Sequence, residues 1–165
     1  MMGSGKSSVG RKLAETLGVA FVDIDHEIEL VSDRSIAEIF EEFGEVEFRA
    51  LESRVLSRIL NEEPQVIATG GGAFLAEKNR KMIAKLATSV WLDAELDTLW
   101  DRVKNKSHRP LLQNPEPKKT LAKLLEDRNP IYALSDHRVV SQANQSHEAM
   151  VERICIALGI DPKKH

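Results

Sequence analysis

Apolar residues along the chain alternate between short unbroken runs and helical spacings. Val9, Leu13 and Leu17 fall four apart, which predicts a helix over Lys6 to Leu17 with Gly18 as its stop. Val19–Val22 reads as a short buried strand ending at Asp23. Ser35-Ile-Ala-Glu38 has the form of a capping box, and Ile36, Ile39, Phe40 and Phe43 carry a helix on to Gly44. Phe48, Leu51, Val55 and Ile59 mark a longer helix from about Glu45 to Asn61. Val66–Thr69 is a second strand, cut off by three glycines. Met82, Ile83 and Leu86 place a helix over Lys78 to Leu86. Ser89–Leu92 is a third strand, and Leu96, Leu99, Trp100 and Val103 belong to the helix after it. Asn105 to Lys118 holds three prolines and few apolar residues. A loop of that length in a compact domain is functional or unstructured. Thr120 to Asp127 is helical, His137–Val140 a last strand and Glu148 to Leu158 a last helix. Strands followed by helices indicate an α/β domain, a parallel sheet with helices on both faces.

Composition narrows the function classes. At 165 residues the chain makes one compact domain. A 42% hydrophobic and 30% charged make-up is that of a globular protein, and no apolar run approaches a membrane span. The first residues lack the apolar stretch of a secretory signal. A net charge of −3 argues against nucleic-acid binding but leaves room for a locally basic pocket. Cys155 is the single cysteine, placed on the apolar side of the last helix as a core residue. His26, His108, His137, His147 and His165 show no ligand spacing.

Chemistry concentrates at the strand ends. Gly3-Ser4-Gly5-Lys6-Ser7-Ser8 opens a helix and matches the informative end of a phosphate-binding loop. Its glycines let backbone N–H groups turn towards a phosphate, and the helix N-terminus adds its dipole. Lys6 would neutralise β- and γ-phosphates, and Ser7 would ligate Mg²⁺. Asp23 and Asp25, two apart at a strand end, would point to one side of an extended segment and share a site. Gly70, Gly71 and Gly72 present bare backbone at the carboxyl end of a strand, where open α/β sheets bind ligands. Arg49, Arg102, Arg109 and Arg128 are candidates for gripping carboxylate or phosphate oxygens two at a time, though composition alone does not select them.

The ordered set of motifs resembles the shikimate kinase family over essentially the whole chain. It comprises the phosphate loop, Asp23-x-Asp25, Ser35-Ile-Ala-Glu-Ile-Phe40, Gly44-Glu, Glu47-Phe-Arg49-x-x-Glu52, Gly70-Gly-Gly72, Arg109-Pro-Leu-Leu112 and Arg128-x-Pro130-x-Tyr132. The resemblance implies a three-layer P-loop NTPase-like fold, with substrate-binding helices at about 25–61 and a mobile lid at about 105–118. It implies transfer of the γ-phosphate of ATP to the 3-hydroxyl of shikimate, in aromatic amino-acid biosynthesis, by a cytoplasmic monomer. Gly3, Ser4, Gly5, Lys6, Ser7 and Ser8 would bind ATP, with Arg102 against the adenine. Ser7 and Asp23 would serve Mg²⁺, the latter through a water. Asp25 would accept from the attacking hydroxyl, as a general base or, as a loose transition state favours, an orienting acceptor. Arg49 and Arg128 would clamp the shikimate carboxylate beside Gly70, Gly71 and Gly72. Phe40 and Phe48 would wall the pocket, and Arg109 would swing in with the lid. The alternatives are a gluconate-kinase-like enzyme and a nucleotide-binding module without catalysis.

The family's strand order is 2-3-1-4-5, with strand 1 feeding the phosphate loop. This chain begins inside that loop, and the first glycine of the full motif would precede Met1. Strands 3 and 4, here Val66–Thr69 and Ser89–Leu92, are therefore expected to flank an absent neighbour. The expected result is a chain of marginal stability that gains in melting temperature and ATP affinity when a strand and glycine are added upstream.

Overall fold

A computed structural model describes residues 1–104, 112–142 and 145–161. Helix α1 (Lys6–Leu17) starts at Gly5 and ends at Gly18 in the left-handed region. Strand β1 (Ala20–Asp23) follows, then helix α2 (Ile24–Ser32). The periodicity did not single out α2. Asp23 nucleates it as N-cap, its side chain accepting from the Asp25 N–H at 3.1 Å. Asp25 thus lies in a first helical turn, which corrects the expectation of an extended Asp-x-Asp.

Helix α3 (Ile36–Ile59) carries the anticipated capping box, with Ser35 and Glu38 bonded reciprocally. It joins the two helices read from the sequence across a kink at Gly44, where φ 78° and ψ 176° break the helical geometry. Strand β2 (Gln65–Ala68) leads to a single 3-10 turn (Ala73–Leu75) and α4 (Glu77–Leu86). Then come β3 (Val90–Ala94), α5 (Leu96–Val103), α6 (Pro117–Tyr132), β4 (His137–Ser141) and α7 (His147–Leu158). Helix α6 is longer at both ends than the apolar spacing suggested. Pro117 suits a first helical turn, and Pro130 is accommodated near the end. The outer residues of the proposed lid, Pro117 and Lys118, belong to this helix, whereas 105–111 and the lid residue Arg109 lie outside the described residues.

The strands form two parallel pairs, β1 with β2 and β3 with β4. Among the described residues β2 and β3 are not bonded to each other. Between them lies a slot of about 670 Å³, bordered by Val66 and Ile67 of β2 and by Val90, Trp91 and Leu92 of β3. β2 and β3, the counterparts of the family's strands 3 and 4, thus face each other across this slot without pairing. Apolar clusters pack around it. Val9 and Leu13 of α1 meet Leu92, Val139, Met150, Ile154 and the fully buried Cys155. Ile24, Ile28, Phe48, Leu56 and Ile59 fill the α2–α3 side, and Leu99, Val103, Leu121 and Tyr132 the α5–α6 side.

Candidate active site

One cavity of about 890 Å³ runs across the carboxyl ends of the strands. It is bordered by Gly3 through Ser8, Asp23, Asp25, Phe40, Phe48, Arg49, Gly70 through Gly72, Arg102 and Arg128. Sixteen of the seventeen residues singled out from the sequence therefore meet in one place; the other, Arg109, lies outside the described residues.

The phosphate loop forms one end. Gly3 adopts φ +75°, and a Cβ there would come within 2.7 Å of Val103 Cγ1. Backbone conformation and the helix beneath both demand glycine. Ser4 is buried, and its hydroxyl is taken by the Met1 carbonyl at 2.8 Å, so only its backbone is left for a ligand. Lys6 Nζ donates to the same carbonyl at 2.7 Å. Ser7 Oγ donates to Asp23 Oδ2 at 2.6 Å. A hydroxyl and a carboxylate so close are the hard oxygen donors Mg²⁺ prefers, and one carboxylate plus ligand phosphates is its usual setting. Arg102 is fixed behind the loop. Its two terminal nitrogens donate to Ser141 Oγ at 3.1 Å, and Nη1 reaches the Gly3 carbonyl at 3.4 Å.

Arginines, an aspartate and glycine backbone make the other end. Asp25 lies against Gly70, whose Cβ would fall 2.7 Å from Asp25 Oδ1. Burial pushes the Asp25 carboxyl above the ordinary carboxylate range. Asp23 adds to the rise, and Lys6 and Arg49 oppose it. Arg49 stacks on the Phe48 ring, 5.0 Å from its centroid, and donates to Glu52 Oε2 at 2.9 Å. Its guanidinium also lies on Gly72, where a Cβ would be 2.2 Å from Nη1. Arg128 approaches Gly71 in the same way, with Nη1 at 3.4 Å from such a Cβ. Phe40 and Phe48 pack with ring centroids 4.5 Å apart, Phe48 buried and Phe40 partly exposed.

Sequence reasoning assigned no role to Glu52 and Tyr132, although both stand in quoted motifs. Glu52 is 1% exposed, borders the cavity, and its Oε1 has no hydrogen-bond partner among the described residues. Burial raises its carboxyl, with Arg49 opposing. The i,i+3 spacing from Arg49 was the available signal. Tyr132 donates to the Gly71 carbonyl. His26 and Glu29, on the unanticipated α2, also border the cavity.

A phosphate loop facing a small cradle of arginines and bare backbone defines a phosphate-loop kinase for a small anionic acceptor. The shikimate kinase family model matches residues 2–158. The shikimate kinase of Rhizobium meliloti is 50% identical over 96% of this chain and 82% of its own length. That of Ruegeria pomeroyi is 52% identical over 96% and 81%. Among solved structures, shikimate kinase from Acinetobacter baumannii in complex with shikimate superimposes with a TM-score of 0.87, at 37% identity over 96% of this chain and 89% of that one. The enzyme from Bacteroides thetaiotaomicron gives 0.89 at 31% identity, over 96% and 94%. The chain belongs to the shikimate kinase family.

Proposed function

We propose that the chain transfers the γ-phosphate of ATP to the 3-hydroxyl of shikimate, as a cytoplasmic monomer organised as one domain. The observation that carries this reading is the single cavity joining the phosphate loop to the Asp25, Arg49, Arg128 and glycine cradle, in a member of this family. The loop backbone from Gly3 to Ser8 holds the phosphates, and Lys6 leaves the Met1 carbonyl to meet the β- and γ-oxygens. Arg102 supports the adenine. Arg49 and Arg128 take the shikimate carboxylate two oxygens at a time, with the backbone of Gly70, Gly71 and Gly72 alongside. Phe40 and Phe48 close the apolar flank of the ring.

Asp25 accepts a hydrogen bond from the attacking hydroxyl and points its oxygen along the line to the γ-phosphorus. The oxygen–phosphorus bond forms as the bond to the β–γ bridging oxygen breaks, giving ADP. The hydroxyl proton leaves late, to Asp25 or to water, since positioning and charge stabilisation carry this reaction. Ser7 and Asp23 would hold Mg²⁺, which supplies charge neutralisation across the β- and γ-phosphates. The residues from about 105 to 116, ahead of α6, serve as a lid bringing Arg109 to the transferring group and excluding water.

The test is ADP release coupled to a spectroscopic readout, with and without shikimate and Mg²⁺, and ³¹P NMR of the product. ADP formation dependent on both, with a phosphomonoester on shikimate, is expected. Turnover with gluconate instead, or nucleotide binding without turnover, would overturn the reading.

A further inference from the structure

Tyr132 ends α6 and is 6% exposed, with its ring 6.2 Å from that of Trp91. Its hydroxyl donates to the Gly71 carbonyl. Arg128 stands one turn earlier on the same helix face. From the vantage of a Cβ on Gly71, Arg128 Nη1 is 3.4 Å away and the Tyr132 hydroxyl oxygen 3.6 Å. The two side chains therefore converge on one face of the same glycine. A phenol both donates and accepts, so Tyr132 can accept from the Arg128 guanidinium while it donates to the Gly71 carbonyl. Its phenol is raised by burial, while the charge of Arg128 and a hydrogen bond with it pull the other way.

We propose that Tyr132 is a positioning residue for the acceptor's carboxylate, tying Arg128 to the Gly71 backbone. This rests on the reading that Arg128 binds the shikimate carboxylate. Without the tie the guanidinium keeps its charge but not its place. The glycine segment, reaching the α6 side through this bond, also loses its anchor there. Geometry held to about 0.5 Å separates a working cradle from a loose one. The phenol therefore acts on affinity for a carboxylate-bearing acceptor, and not on nucleotide binding or on the phosphoryl-transfer step.

Tyr132→Phe keeps the ring and its packing and removes the hydroxyl alone. The expected result is a rise of about five- to tenfold in KM for shikimate. kcat and KM for ATP should stay within twofold of the parent. With an acceptor whose carboxylate is replaced by hydroxymethyl, parent and variant should perform alike. An unchanged shikimate KM, or equal changes for both acceptors or for ATP, would overturn the proposal. Tyr132 is the only tyrosine in the chain, so fluorotyrosine labels this one site. Its ¹⁹F resonance should shift on saturation with shikimate and remain still with the hydroxymethyl analogue. A resonance unmoved by shikimate would refute the role even if the phenylalanine variant did not fold. A parent enzyme that phosphorylates no shikimate would instead overturn the function proposed above.

Discussion

Gly72→Ala isolates one contact of the acid cradle. Gly72 has φ −94° and ψ −25°, a conformation alanine adopts readily, so the backbone is not strained. The added methyl would be 2.2 Å from Arg49 Nη1 and 2.5 Å from its Cζ and Nη2. Unrepelled contact needs roughly 3.5 Å, so the guanidinium must retreat by roughly 1.3 Å. That exceeds the ~0.5 Å within which a binding constellation keeps its geometry. Stability should fall modestly, because the same retreat loosens the bond from Arg49 to the buried Glu52. Loss of glycine's unfolded-state freedom is worth about 0.4–1 kcal/mol in the variant's favour. Shikimate should lose one charge-assisted contact, about 1.5–3 kcal/mol, a weakening of roughly 10- to 150-fold. Steady-state kinetics and calorimetric titration with shikimate and with ATP read this directly, alongside thermal melting. In an Arg49→Ala background the glycine substitution should cost little more, since the group it displaces is gone. A shikimate affinity within threefold of the parent, or strict additivity with Arg49→Ala, would refute the reasoning.

Asp25→Asn should lower kcat yet raise the melting temperature at neutral pH. Burial lifts the folded pKa of Asp25 above its unfolded value of 3.8, so its stabilising share is complete below 3.8 and vanishes as pH rises through the folded value. The gain from asparagine should therefore shrink on acidification, and melts across pH 3.5–8 showing no gain near neutrality would contradict this. Lys6→Ala should reduce kcat by about 100-fold or more, through loss of a cation beside the migrating charge, and near-normal turnover would remove the phosphate-loop assignment. A version carrying about ten extra residues before Met1, an apolar strand and then glycine, should melt at least about 5 °C higher by pairing the open edges, and bind ATP more tightly. Equal melting temperatures and ATP affinities in a differential scanning comparison would show the slot to be inert.

Much of this was legible because the elements have strong local signals. The α1 spacing, the Ser35–Glu38 box and the Gly18 stop act within a turn or two and were read to the residue. Helix α2 was hidden because Asp23 was read as the end of a strand, while its side chain caps the turn that follows. The break at Gly44 was visible, but α3 resumes directly beyond it. Site residues were recoverable as a set through their order, since the sequence alone did not distinguish Arg49 or Arg128 from other surface arginines. The Arg49–Glu52 pair lay within reach of its i,i+3 spacing, whereas the Tyr132 contact with Gly71 depends on how distant segments pack, and spacing carries no trace of a contact 61 positions apart.

Helix α1 packs against both strand pairs. Gly10 sits against Phe21 and near Val66 of the β1–β2 pair, while Val9 and Leu13 pack with Leu92 and Val139 of the β3–β4 pair. The N-terminus of that helix is the phosphate loop. A nucleotide seated there fastens the element that bridges the two half-sheets, adding about 2.7 kcal/mol at a hundredfold excess over its Kd. ATP is in this sense a clasp before it is a reactant. The melting temperature then rises with nucleotide concentration through this one helix.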